Sequence, residues 1–109
     1  MRAVVSRIDK AKSPVARRLR EARVRKGISQ KALGIVAGID EFSASPRINQ
    51  YEQDKHVPDY STAQRLAEAL EVPVSYLYTE DDELAELILS YARAGVRKCA
   101  QARRLLMGK

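Results

Sequence analysis

The chain has 109 residues, 45% hydrophobic and 31% charged, with a formal net charge of +6. That length suits a single modest core, and the apolar content favours a folded domain over a disordered chain. A lone cysteine, Cys99, excludes an intrachain disulfide, and no apolar run approaches a signal-peptide core or a membrane span. A cytoplasmic protein with no membrane partner is the expectation.

Residues 1–12 carry many basic side chains without an amphipathic period and read as a basic N-terminal arm. Ser13-Pro14 then starts a helix: serine caps orphan N–H groups, and proline at the first position gives up no hydrogen bond. Val15, Leu19, Ala22 and Val24 follow at helical spacing with arginines elsewhere, until Gly27 supplies a left-handed stop. Ser29 caps a second helix over Gln30 to Ala37, with Leu33, Val36 and Ala37 inward. Gly38 ends it, and Gly34 lets another helix cross closely. Proline deep in a helix would clash, so Pro46 is expected in a first turn, placing a third helix at 44–53. The connection from Gly38 to Ser45 is then a long turn, with Phe42 pinning it to the core.

Pro58-Asp59 opens a fourth element. Its Ser61 and Gln64 have capping-box spacing, and Ala63, Leu66, Ala67 and Leu70 form an apolar stripe. Pro73 begins a short fifth helix carrying Val74, Leu77 and Tyr78. Asp81 and Asp82 suit the positive end of a sixth helix with the stripe Leu84, Leu87, Ile88 and Tyr91. After Gly95 a last helix, roughly 97–106, repeats the pattern with Cys99, Ala102, Leu105 and Leu106. No strand pattern appears. The fold class is all-α: a five-helix domain over 13–79 and a C-terminal helical hairpin over 80–109.

Charge is arranged in blocks. The first 58 residues are strongly basic, residues 59–91 hold Arg65 as their only cation among many acids, and the tail is basic without an acid. A polyanion would therefore meet the first half and avoid the acidic middle. Catalysis has little to work with: one His, one Cys, no phosphate loop and no metal-ligand spacing around His56. No enzyme activity, metal or cofactor is expected. Cys99, at an apolar helical position, reads as a buried small residue.

Taken together, the motifs from Val15 to Tyr78 resemble the Cro/repressor-type helix-turn-helix family, also called the xenobiotic-response-element family. Arg18-Leu19-Arg20-Glu21-Ala22-Arg23 matches its leading helix, and Gly27-Ile28-Ser29-Gln30 enters the first helix of the motif. Leu33-Gly34, the turn Gly38-Ile39 and the unit Ile48, Tyr51, Glu52 follow. Lys55, Pro58, and finally Leu66, Ala67, Leu70 and Val72 complete the order. Four features depart from the pattern: the longer connection after Gly38, Pro46 at a base-reading position, Gly34 for alanine, and Glu71 for the glycine after the fourth helix. Glu71 is expected in a left-handed conformation.

The resemblance implies a repressor that binds double-stranded DNA. It puts Ser45, Arg47, Asn49 and Gln50 in the major groove and gives Gln30 a phosphate. Arg pairs bidentately with guanine, and Asn or Gln with adenine. Arg17, Lys31, Lys55 and His56 are further phosphate candidates, while Asn49 has the alternative of bracing the turn. Glu52 reads as structural, bonding to backbone or pairing with Arg18 or Arg20. Leu84, Leu87, Ile88, Tyr91 and Leu105 exceed what one small core absorbs, and suit a homodimer reading a palindromic operator. Two other readings fit the same residues: an antitoxin or restriction-system controller with a protein partner, or a protein-interaction module that does not bind DNA.

Overall fold

The computed structural model describes residues 13–108, and their regular structure is entirely helical. The expected basic arm, 1–12, lies outside the described residues. Seven helices follow in order: α1 (Val15–Lys26), α2 (Gln30–Val36), α3 (Glu41–Glu52), α4 (Tyr60–Leu70), α5 (Val74–Leu77), α6 (Asp82–Arg93) and α7 (Val96–Met107).

Short side-chain acceptors set most of the starts. Ser13 Oγ accepts from the Val15 N–H, Ser29 Oγ from the Ala32 N–H and Asp59 Oδ1 from the Thr62 N–H. Asp59 rather than Ser61 thus caps α4; Ser61 lies inside the helix and accepts from Arg65. Gly27 closes α1 at φ 78°, and Glu71 closes α4 at φ 59°, the left-handed conformation its position demands. Lys26 Nζ holds the Glu71 carboxylate at 2.9 Å.

The third helix corrects the sequence reading. It begins at Glu41, not at 44, because Asp40 supplies the cap: its carboxylate accepts from the Phe42 N–H at 3.0 Å. There is no long turn, since the chain reverses through Gly38 and Ile39, whose N–H returns to the Gly34 carbonyl at 2.8 Å. Pro46 therefore sits within the helix. Lacking an N–H, it costs the bond to the Phe42 carbonyl, on a face where water can replace it. The acidic cap and the burial of Ala44, Ile48 and Tyr51 below offset that loss. Phe42, expected to pin a turn, instead points outward and is 86% exposed.

Gly34 explains how α2 and α3 meet. A Cβ placed there would come within 2.6 Å of Ala44 Cβ and 2.9 Å of its Cα, so only glycine allows the observed approach. Val15, Leu19, Leu33, Ile48, Leu66 and Leu77 fill the centre around Tyr76. Two expected inward residues, Val24 and Val36, lie on the surface.

The stripe read on the sixth helix lies mostly outside the core. Inward positions of α6 are Ala85 and Leu89, with Ile88 half-buried at the edge of the core. Leu84, Leu87 and Tyr91 are left outside. No residue of α7 is buried. It folds back on α6 through Arg103, which donates to the Tyr91 hydroxyl at 2.6 Å, and through the Cys99 thiol near the Tyr91 carbonyl. Cys99 is half-buried beside α6, not part of the core.

Candidate nucleic-acid interface

One buried carboxylate organises the helix-turn-helix. Glu52, at the inner end of α3, has a fully buried side chain and meets Arg23 of α1, with Nε to Oε2 at 2.6 Å and Nη2 to Oε1 at 3.1 Å. Arg23 also donates to the Ile28 carbonyl at 3.0 Å, fixing the loop ahead of α2. Glu52 is structural, as expected, but its partner is Arg23 and not Arg18 or Arg20. Arg23 lies four residues beyond Leu19 and so shares the inner face of α1, which is the signal the sequence carried for it.

Gln30 extends this network. Its Nε2 donates to Glu52 Oε1 at 3.0 Å and to Asn49 Oδ1 at 3.2 Å. Both amide hydrogens are thereby committed within the protein, and an amide oxygen is no ligand for phosphate. This side chain, expected at a phosphate, joins Asn49 to Glu52 within the protein. Asn49 joins α3 to α2 and keeps its own amide N–H groups for outside partners.

Above this frame lies the outer face of α3. Phe42, Pro46, Arg47, Asn49 and Gln50 are exposed, while Ser45 is half-buried at its edge. Lys31 on α2 and Lys55 and His56 after α3 are also exposed. Neither Arg47 nor these three has a side-chain partner among the described residues. On this exposed side Gln50 lies between Arg47 and Asn49, which stand on its two flanks, and Lys31, Lys55 and His56 are on the adjoining segments.

Arg17 stands elsewhere. Its guanidinium bonds Asp82 Oδ1 at 2.6 Å and the Glu80 carbonyl at 3.0 Å, so this expected phosphate candidate tethers α6 within the protein. Arg18, unexpectedly buried, reaches the Thr79 and Glu80 carbonyls, Asp82 and Glu21. These bonds, from Arg17 first and Arg18 second, hold the Asp82 carboxyl below its ordinary value. Tyr76 beneath them is pushed up, by burial first and then by the Glu21 charge. Arg25 faces Glu86 at 3.6 Å. The acidic middle of the chain thus neutralises much of α1.

Among the described residues, no cluster of His, Cys, Asp and Glu could hold a metal ion, and no helix is long and apolar enough to cross a membrane.

Comparisons with known proteins agree with this geometry. The model of the helix-turn-helix domain family matches residues 16–83. A search of curated proteins finds no match. Among solved structures, the crystal structure of the transcriptional regulator BswR is similar at a TM-score of 0.81 and 46% sequence identity, covering 86% of this chain and 93% of that one. The chain belongs to the helix-turn-helix family of transcriptional regulators.

Proposed function

We propose that the protein is a sequence-specific repressor that reads a palindromic operator as a cytoplasmic homodimer. The observation that carries this reading is the outer face of α3, where Arg47 and Gln50 are exposed and Asn49, held by Gln30, keeps its amide N–H groups outward, on a helix locked from behind by Glu52. Rigid support leaves their side-chain geometry to be matched by base edges, Arg47 suiting guanine and the two amides adenine. Ser45 borders this set. Lys31, Lys55 and His56 then contact phosphates and fix register. The 46% identity to a protein described as a transcriptional regulator supports the same direction.

For the dimer, the support is the unburied apolar surface of the segment 80–109. Leu84, Leu87 and Tyr91 of α6 and Leu105 of α7 face outward, and Ile88 borders an apolar groove of about 360 Å³ with Ala102 and Leu106. A monomer gains nothing from exposing such a surface. Two copies joined there would present two α3 helices to one duplex, with half-sites about 34 Å apart.

Selection from a random duplex library tests the reading. An enriched motif with two-fold symmetry is expected, and no enrichment at low salt would contradict it. Sedimentation of a truncation ending at Glu80 tests the dimer surface. A monomer is expected, whereas a truncated dimer would place the interface elsewhere.

A further inference from the structure

An exposed phenylalanine on a reading surface calls for a partner. Phe42 is 86% exposed at the start of α3, and its backbone is fixed by the bond from its N–H to the Asp40 cap. Helical spacing puts Phe42, Pro46 and Asn49 on one face, four and then three residues apart. Two apolar side chains therefore form a ridge running from Asn49 to the tip of the helix. That tip is the end that enters a major groove. Base pairs there present donors, acceptors and a single apolar group, the C5-methyl of thymine.

We infer that Phe42 is a specificity-determining residue that packs on the 5-methyl group of a thymine, or another 5-methylpyrimidine, in each operator half-site. The inference rests on the DNA-reading role proposed above. Arg47, Asn49 and Gln50 recognise polar edges, and Phe42 extends recognition toward the N-terminal end of the helix, about 10 Å along the axis from Asn49. Pro46 lends this role a rigid neighbour, since its ring fixes φ at the position one turn further on. The extra turn of helix created by the Asp40 cap is what carries Phe42 to that reach.

Replacing thymine by deoxyuridine removes the methyl group and nothing else. With the selected operator and the full chain, each thymine is replaced in turn and the Kd measured for the wild type, Phe42→Ala and Phe42→Leu. One position per half-site should weaken wild-type binding about fourfold, the factor for one buried methyl group. Phe42→Ala should bind the two duplexes equally, and Phe42→Leu should keep part of the difference. Specific binding in which no thymine is sensitive, or in which Phe42→Ala is equally sensitive, would overturn the inference while leaving the regulator intact. A Phe42→Ala variant that changes only the sedimentation of the free protein would assign the ring to a protein contact and overturn it too. Absence of any specific duplex would remove both readings together.

Discussion

The basic surface of α1 and that of the α2–α3 unit look alike in the sequence and differ in what their charges do. On α1, Arg17 and Arg18 hold Asp82, Arg23 holds Glu52, Arg25 faces Glu86 and Lys26 holds Glu71. On the other unit, Lys31, Arg47, Lys55 and His56 are exposed and unpaired among the described residues. Apart from the exposed Arg20, the α1 cations are spent within the molecule, and the side chains of the second set are not. Counting charge along a chain cannot separate them, because apart from Glu21 the acids that meet α1 come from residues 52 to 86.

Losing a paired α1 cation or its acid is expected to cost stability, and losing an α3 cation to cost only binding. The largest effect is expected at Glu52. Glu52→Ala strands the Arg23 guanidinium and releases Gln30, so chemical denaturation should show a loss of about 3–5 kcal/mol. A loss below 1 kcal/mol would mean the pair is not central. Next comes Gly34→Ala, whose methyl group meets the Ala44 backbone as well as its side chain. Thermal or chemical unfolding should report a loss of about 1–3 kcal/mol, with weaker DNA binding from a displaced α3. Arg47→Ala should leave unfolding unchanged and cost about 1–3 kcal/mol of specific binding, with relaxed preference at one base pair.

Smaller still is the contribution of Asp82. Its folded pKa lies below the usual carboxylate value, so its stabilisation is present above the unfolded pKa near 3.8 and is lost as pH falls through the folded value. Unfolding midpoints of the wild type and Asp82→Asn should therefore differ at neutral pH and converge in acid below that value. A gap that persists in acid would detach Asp82 from the arginines.

Much of this was legible beforehand, for identifiable reasons. Ser29, Gly27 and Gly38 are local signals, and α2 begins and ends beside them. Glu71 was expected in the left-handed region from its place after a helix, and it lies there at φ 59°. The start of α3 was misjudged because a local rule about Pro46 was weighed without the Asp40 cap and the packing of Ala44 on Gly34. The cap is local, but the packing of Ala44 on Gly34 is tertiary, and together they outweigh one lost helical hydrogen bond. The earlier helix start also turns Phe42 outward. The phase of α6 was ambiguous because Leu84, Leu87, Ile88 and Leu89 crowd both sides of the helix. Which side faces inward is decided by α5 and by the arginines of α1. The bond from Gln30 to Glu52 is not legible in the sequence, because nothing local shows that the two lie within reach.

The salt dependence of DNA binding tests the division between the two basic surfaces most directly. The slope of log affinity against log salt should fall by about two units per dimer, one for each half-site, for each of Lys31→Ala and Lys55→Ala, and should be unchanged for Arg17→Ala. A slope reduced by Arg17→Ala as much as by Lys31→Ala would place α1 on the phosphates and contradict the account.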